Sequence, residues 1–289
     1  MERLNDIFGG QLTTAIDIFT NNHPKAFLHQ LISSQLDMDR LDYLRRDSFY
    51  SGVTEGSVNS ERLLTMLNVK DDQLVVDAKG IYSVEKFLVA RRLMYWQVYM
   101  HKTVLSAEFM LVNILKRAKH IAEKGEQLPG TAALRHFLHA DYTWNDFEES
   151  PAILDKFLEL DDFDVMSGIK DWTTHGDIIL SQLSRRITER NLLKIRIQAD
   201  PFSPKTVERL QSAIREQYQF TEGEEAYLFI EAKVKNHAYN NQKGHINLLY
   251  KDGHTSDIGQ AADQMTIKAL SEPVERHFIC FPRELKHLI

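Results

Sequence analysis

The chain has 289 residues, of which 43% are apolar and 26% are charged, and its net charge is −6. This length suffices for two domains of ordinary size, and the acidic balance argues against a basic surface that would coat nucleic acid. Cys280 is the single cysteine, so no intramolecular disulfide can form, and no apolar run is long enough to span a bilayer. We therefore expect a cytoplasmic protein with no membrane partner, and nucleic acid is not favoured as a partner.

The first two thirds of the chain has the spacing of apolar residues that is typical of α-helices. The pattern runs from Met1 to about Arg190 and predicts a helical domain at residues 1–190. Its clearest element is one long helix from about Ser83 to Lys124, roughly 60 Å in length at the usual rise per residue. A short hairpin is predicted just before this helix, around Leu74–Gly80.

The last third has a mixed pattern. Alternating residues predict strands at 192–198, 226–235, 245–250 and 274–281, and helical spacing predicts helices after Ser203 and at 260–270. The resulting β-α-β-β-α-β order is that of a ferredoxin-like sandwich, which is one candidate topology for this part. The fold class expected for the whole chain is mainly α, a helical bundle followed at 191–289 by a smaller α+β domain with a regulatory or oligomerisation role.

One predicted helix, Leu36–Tyr50, concentrates acids, cations and phenols. Four of its residues share one face at spacings of four, four and three, namely Asp39, Tyr43, Asp47 and Tyr50. A carboxylate can bind a metal ion, an arginine can fork onto phosphate oxygens, and a tyrosine can stack on a sugar or base. The alternative is a solvated helix held by Asp–Arg pairs, such as Asp42 with Arg45 or Arg46.

A second stripe lies on the predicted long helix, where the same spacing joins Arg91, Tyr95, Tyr99 and Lys102. The alternative for this stripe is aromatic packing in a core, with cations that extend to solvent. A stripe rich in acids and a stripe rich in cations together favour a nucleotide cleft between the two helices.

These stripes lie in segments that resemble a known enzyme family. QLDMDRLDYLRRDSFYSG and FLVARRLMYWQVYMHK are similar to parts of the HD-domain deoxynucleoside triphosphate (dNTP) triphosphohydrolases, which include the dGTPase-like enzymes. The resemblance implies an all-helical HD domain with a divalent metal, whose identity among Mg, Mn, Zn and Fe stays open. It also implies a homo-oligomer that hydrolyses a dNTP substrate to a deoxynucleoside and triphosphate.

The resemblance implies roles for six residues of this sequence. Asp39 is expected to be the metal ligand and the catalytic residue. Arg40 and Arg91 are expected to contact the substrate phosphates. The sugar is expected to contact three side chains, those of Tyr43, Asp47 and Tyr99, with Asp47 on the 3′-hydroxyl.

The metal site is where this sequence departs from the family pattern. The family holds its metal with a His…His-Asp…Asp set, and this chain has no His-Asp dipeptide. Only His23 and His29 precede Asp39, and neither has a neighbouring acid, so three of the four expected ligands are missing. We therefore expect an incomplete HD bundle, whose metal binds only with ligands from a portion ahead of Met1.

Two functions follow from this mixed result. The first is a metal-dependent phosphohydrolase that acts on dNTP in its full-length form, with the activity of this chain alone left open. The second is a non-catalytic module for nucleotide binding, regulation or oligomerisation. In either case the segment ahead of the aspartate-rich motif is expected to expose apolar surface, because the core helices that would cover it are missing.

Overall fold

The computed structural model describes residues 1–236, 239, 244–261 and 273–289. Their contacts form two compact units, one of Met1–His101 with Lys235–Glu275 and one of Lys102–Val234 with Arg276–Ile289. Each unit has an apolar core of its own. The division into domains at 1–190 and 191–289 stays a prediction about segments that fold independently.

Helices make up most of the described chain. They are α1 (Glu2–Ile7), α2 (Thr13–Phe19), α3 (Ala26–Gln30), α4 (Met38–Ser51), α5 (Ser60–Met66), α6 (Ile81–Met94), α7 (Lys102–Glu123), α8 (Ala132–His139), α9 (Trp144–Glu149), α10 (Pro151–Leu158), α11 (Asp162–Trp172), α12 (Ile178–Thr188) and α13 (Pro204–Tyr218). Within the described ranges, no helix is both long and apolar enough to cross a membrane.

The strands form two small sheets. They are β1 (Leu67–Lys70), β2 (Gln73–Asp77), β3 (Lys194–Gln198), β4 (Ile230–Asn236), β5 (Asn247–Leu249), β6 (Thr255–Asp257) and β7 (Val274–Phe281). One sheet has the order β1-β2-β5-β6 and the other has the order β3-β7-β4. This arrangement confirms the predicted fold class, which is mainly α with a smaller mixed part.

The helix with the first stripe has clear start and stop signals. The Asp37 side chain caps α4 by accepting a hydrogen bond from the backbone nitrogen of Arg40 at 2.8 Å. Gly52 ends the helix in the left-handed conformation, with φ of 72°. Leu41 and Leu44 are buried in the core of the first unit. The acidic and phenolic side chains of α4 are therefore left at the edge of that core or in solvent.

The single long helix predicted from Ser83 to Lys124 is wrong as one element. Helix α6 ends at Met94, a π-helical turn follows at Tyr95–Tyr99, and α7 begins at Lys102. The backbone nitrogen of Met100 donates to the oxygen of Tyr95 at 2.7 Å, so the turn is wider than an α-helical turn. Apolar spacing continues across this turn, and the sequence pattern therefore does not reveal the break.

The hairpin predicted around Leu74–Gly80 lies earlier in the chain. It joins β1 to β2 through Asp71 and Asp72, whose φ angles of 49° and 61° match a two-residue type I′ turn. The register places Leu67 opposite Val76. Only the second strand of this hairpin overlaps the predicted segment.

The ferredoxin-like topology is not formed by the described strands. Strands β3, β4 and β7 share a sheet, but β5 pairs in parallel with β2 in the other sheet. The register puts Leu248 opposite Val76, and both side chains are buried in the core of the first unit, which favours this pairing. The helix predicted at 260–270 falls mainly outside the described residues.

The segment ahead of α4 does expose apolar surface, as expected. Helices α1 and α2 bury none of their residues. Large apolar side chains are exposed in this segment, namely those of Leu4, Ile7, Phe8 and Phe19.

The core of the second unit contains Trp172, whose indole nitrogen donates to the oxygen of Pro129 at 2.8 Å. Cys280 is fully buried there, and burial raises the pKa of its thiol to about 12, so it behaves as a small apolar residue. Arg186, in the last turn of α12, is also buried and pairs with Glu284 at 2.7 Å. That arginine therefore has a structural partner within its own unit.

Candidate functional site

A cluster of polar side chains lies between α4 and the stretch formed by α6 and the π-helical turn, within the first unit. We call it the tyrosine–arginine cluster, and its members are Gln35, Asp37, Arg40, Tyr43, Asp47, Arg91, Tyr95 and Tyr99. It contains five of the six residues to which the sequence analysis gave roles. The sixth, Asp39, is exposed in the first turn of α4.

The first part of the cluster is the buried carboxylate of Asp37. Besides capping α4, it accepts a hydrogen bond from the backbone nitrogen of Ser34 at 2.9 Å and pairs with the guanidinium of Arg40. Asp37 is fully buried, whereas the side chain of Arg40 keeps 28% of its exposure. The Nε atom of Arg40 is buried and has no hydrogen-bond partner in the described part of the chain. Asp37 therefore holds the Nη1 end of the Arg40 guanidinium, while the Nε donor of the same group has no partner among the described residues.

The second part joins the two helical stripes directly. The hydroxyl of Tyr99 donates to Oδ2 of Asp47 at 2.5 Å. The ring of Tyr99 contacts the edges of two other phenols, with centroids 6.0 Å from Tyr43 and 5.1 Å from Tyr95. Tyr43 also shares a hydrogen bond with Tyr95. Three phenols and one carboxylate thus meet at the predicted junction of the two stripes.

The third part is the arginine of the second stripe. Nη1 of Arg91 donates to Oε1 of Gln35 at 3.3 Å, and Gln35 is 7% exposed. The guanidinium carbon of Arg91 lies 5.9 Å from the ring centroid of Tyr95, within the range of a cation–π contact. Arg91 is therefore restrained by a buried amide and by an aromatic ring.

Burial favours the protonated form of two phenols of the cluster, Tyr43 and Tyr99. It raises the pKa of Tyr43 to about 12, with a further rise from the neighbouring Tyr95, while Arg91 and Arg40 act in the opposite direction. The pKa of Tyr99 is also raised, first by burial and then by its hydrogen bond to Asp47. Near neutral pH, Tyr43 and Tyr99 are therefore hydrogen-bond donors without charge, and the cations of the cluster are its two arginines.

The residues that could hold a divalent metal do not converge. No group of three or more His, Cys, Asp or Glu side chains within the described ranges is arranged to bind a metal ion. Nδ1 of His29 lies 3.0 Å from the oxygen of Ile18, and Nδ1 of His23 accepts from the backbone nitrogen of Lys25 at 3.1 Å. Asp39 is one carboxylate, and a catalytic metal needs several ligands at fixed distances. The residues that the structure describes do not by themselves fit a metal site.

The rest of the α4 stripe fits the solvated alternative. Asp42 and Arg46 form an ion pair at 2.9 Å with both side chains about 60% exposed. Tyr50, on the predicted active face, is 80% exposed. Among the described residues, its one ring contact is an edge-to-face contact with Phe49. The Asp42–Arg46 pair and the exposed Tyr50 therefore fit the solvated alternative.

The cluster contains three residues to which the sequence analysis gave no role. The local sequence could have revealed Asp37, because aspartate is a preferred N-cap residue and Asp37 directly precedes the helix that starts at Met38. Tyr95 stood in the second stripe, four residues after Arg91. Gln35 had no signal, because its contact with Arg91 joins residues 56 positions apart.

Comparisons with known proteins relate the chain to one group. Residues 58–130 match the family model of the HD associated region. The crystal structure of a phosphohydrolase from Bacteroides thetaiotaomicron is similar over 98% of this chain and 70% of that chain, with 45% identity and a TM-score of 0.91.

Two curated relatives match over shorter stretches. Uncharacterized protein YwfO of Bacillus subtilis is 37% identical over 164 residues, which are 57% of this chain and 36% of that protein. A protein of Dictyostelium discoideum named deoxynucleoside triphosphate triphosphohydrolase SAMHD1 homolog is 31% identical over 107 residues, 36% of this chain and 21% of that protein. The chain thus spans about a third and about a fifth of the lengths of these two relatives.

Of these three proteins, the Bacteroides thetaiotaomicron phosphohydrolase is the most similar to this chain. Its sequence identity is the highest of the three, and the match covers most of both chains. The match to the HD associated region agrees with it and includes α6 and the π-helical turn. The chain therefore belongs to the family of the Bacteroides thetaiotaomicron phosphohydrolase, within the HD-domain phosphohydrolases.

Proposed function

We propose that the tyrosine–arginine cluster binds the phosphates and sugar of a dNTP, as the substrate side of an HD-type phosphohydrolase site. The observation that carries this proposal is the junction of Asp47 with Tyr99, beside Tyr43, Tyr95 and Arg91. The reaction proposed for the full-length protein is hydrolysis of the dNTP to a deoxynucleoside and triphosphate. Support for this class of substrate comes from the name of the Dictyostelium discoideum relative.

The phosphate end of the substrate would be bound by Arg91 and Arg40. A guanidinium forms charge-assisted and bidentate hydrogen bonds with phosphate oxygens. Gln35 and Tyr95 restrain Arg91, so less side-chain entropy is lost when a phosphate binds. The guanidinium of Arg40, whose side chain keeps 28% of its exposure, offers a second positive charge beside Tyr43.

The sugar end would be bound by Asp47 and Tyr99. Oδ2 of Asp47 already accepts a hydrogen bond from the Tyr99 hydroxyl. The other carboxylate oxygen, Oδ1, is able to accept a hydrogen bond from the 3′-hydroxyl of a deoxyribose. The rings of Tyr99 and Tyr43 supply apolar surface against which a sugar without a 2′-hydroxyl can pack. This arrangement favours a deoxynucleotide over a free phosphate.

A second candidate function is nucleotide binding without hydrolysis by this polypeptide. It is favoured by the lack of a convergent metal-binding group in the part of the chain that the structure describes. Asp39 is proposed as one ligand of the metal in the full-length protein. The two candidates share the same substrate contacts and differ only in the presence of the other ligands.

A calorimetric titration of the chain with the four dNTPs tests the shared part of the proposal. We expect binding of dNTP in the absence of hydrolysis, and we expect no release of triphosphate after addition of Mn²⁺ or Mg²⁺. Inorganic triphosphate serves as the control ligand and should bind more weakly, because it lacks the sugar. No detectable dNTP binding would refute the proposed site, and metal-dependent turnover would show that the ligands have been misassigned.

Replacement of Asp47 by asparagine tests the sugar contact. In the wild-type chain, a 2′,3′-dideoxynucleoside triphosphate should bind about tenfold more weakly than the dNTP, because a hydrogen bond to a charged acceptor is lost. In Asp47→Asn this difference should shrink to about threefold or less, since the acceptor is neutral. The exposed Asp42→Asn variant of the same helix is the matched control and should keep the wild-type ratio. An unchanged ratio in Asp47→Asn would remove this residue from the sugar site.

A further inference from the structure

A groove in the second unit lies between helices and is open to solvent. Its volume is about 560 Å³, and its lining comes from α7, from α8 and from the junction of α10 with α11. Helix α8 packs against both α7 and α11. Four residues of α7 at helical spacing line the groove, namely Val112, Leu115, Lys116 and Lys119. One face of α7 is therefore turned toward the groove along two turns.

Apolar side chains line this groove and remain exposed beside it. Val112 on α7 is 40% exposed. Helices α9 and α10, which follow α8, bury none of their residues. Phe157 of α10 packs edge to face against Phe137 of the lining at 5.8 Å yet is 51% exposed, and the next residue, Leu158, is 70% exposed. Exposed apolar surface around a groove is typical of a contact with another protein.

The chain segment on one side of this groove is strongly acidic. Residues 141–164 contain nine aspartates and glutamates and one lysine, a net charge of −8, whereas the whole chain has a net charge of −6. Asp161 and Asp162 of this segment line the groove and are exposed. On α7, Nζ of Lys119 pairs with Asp141 at 2.8 Å, while Lys116 is exposed. The α11 side of the groove is thus anionic, and the α7 side has an exposed cation.

This charge distribution selects the kind of partner that fits. A two-fold contact between identical copies places the same patch on both sides of the interface, so the acidic segment would be repeated there. Like charges across an interface disfavour such a contact. A partner with an apolar stripe and a flank of lysines or arginines instead complements both the apolar lining and the acidic side.

We propose that this groove binds a basic amphipathic helix of another protein. Apolar side chains of that helix, spaced as i, i+3 or i+4, and i+7, would fill the groove, which is the usual mode of helix-in-groove recognition. Its basic flank would lie along Asp161 and Asp162, because Lys116 repels cations on the α7 side. This inference does not depend on the proposed nucleotide site, which lies in the first unit.

A designed peptide tests the recognition directly. The probe is a fluorescein-labelled helix of leucine and lysine, about 14 residues or four turns long, with its leucines on one face. One control peptide has the same composition but scatters the leucines around the helix, and another keeps the leucine face but replaces each lysine by glutamate. By fluorescence anisotropy, the probe should bind the chain about tenfold or more tightly than either control. Undetectable binding of the probe, or equal binding of the three peptides, overturns the proposal.

Variants of the chain locate the binding surface. Val112→Asp should weaken binding of the probe by about tenfold or more, because it places a charge in the apolar lining. Asp162→Lys should weaken it by about threefold or more, because an attraction becomes a repulsion. Glu216→Lys, at an exposed position of α13, changes the net charge equally and should have no effect. Thermal unfolding checks that each variant is folded. Equal effects of Asp162→Lys and Glu216→Lys would show attraction to the overall charge and overturn the proposal.

Sedimentation velocity tests a second copy of the chain as the alternative occupant. We expect the wild type and Val112→Asp to show the same oligomeric species at equal concentrations, because the groove is free for a different protein. An oligomer that dissociates in Val112→Asp but not in Glu216→Lys would assign the groove to a second copy and overturn the proposal.

Discussion

Replacement of Arg91 by alanine is expected to weaken dNTP binding by the chain by about tenfold or more, the equivalent of roughly 1.5–3 kcal/mol. The physical reason is the loss of a charge-assisted contact to a phosphate from a guanidinium that Gln35 and Tyr95 restrain. Calorimetry with one dNTP gives the affinity of both proteins. Arg62→Ala, on the exposed surface of α5, is the matched control and should bind dNTP as the wild type does.

The contribution of Gln35 is separable from that of Arg91 by a double-mutant cycle. Gln35→Met keeps the volume of the buried side chain but removes the oxygen that accepts from Arg91, so the single variant should bind dNTP about three- to tenfold more weakly. In the Arg91→Ala background the same change should have no further effect. Equal effects in the two backgrounds would assign Gln35 a general structural role, and unchanged affinity in Arg91→Ala would remove that arginine from the binding site.

Replacement of Asp37 by alanine is expected to lower the free energy of unfolding by about 3 kcal/mol. The buried carboxylate caps α4, accepts from the backbone nitrogen of Ser34 and pairs with Arg40, so its removal leaves buried donors without a partner. Urea denaturation followed by far-ultraviolet circular dichroism measures the change. Asp37→Asn should recover part of the loss, because an asparagine still caps a helix.

Asp42→Ala is the matched control for this stability change. Asp42 lies on the same helix and also forms an ion pair with an arginine, but its side chain is 62% exposed. Solvent screens such a pair, so the expected change is about 0.5 kcal/mol or less. Equal losses in the two variants would show that burial of Asp37 does not decide its contribution.

The sequence predicted most members of the cluster because they lie close together within two short segments of the chain. Asp39, Tyr43 and Asp47 follow each other at helical spacing on one segment, as do Arg91, Tyr95 and Tyr99 on another. Such spacings fix which residues share a face of a helix. The fold class and the element types over most of the described chain were also predicted correctly from the spacing of apolar residues. The sequence did not distinguish Tyr50, which shares the spacing of Tyr43 and Asp47 but points into solvent.

The metal site stands apart from these results. The missing His-Asp pair was read directly from the sequence, and within the described residues the structure adds no alternative group of ligands. Asp39 keeps its place in the family motif, and its role as metal ligand and catalytic residue stays a prediction. Its exposure is compatible with that role but does not test it.

The sequence by itself determined which segments are helical, where the two polar stripes lie and which family their motifs resemble, because each of these depends on residues close together in the chain. Only the tertiary structure decided that Gln35 restrains Arg91, that α6 and α7 are separate helices and that β5 pairs with β2. These outcomes depend on contacts between distant residues and on the burial that each contact gains. Local periodicity is the same whether or not such contacts form, so it carries no information about them.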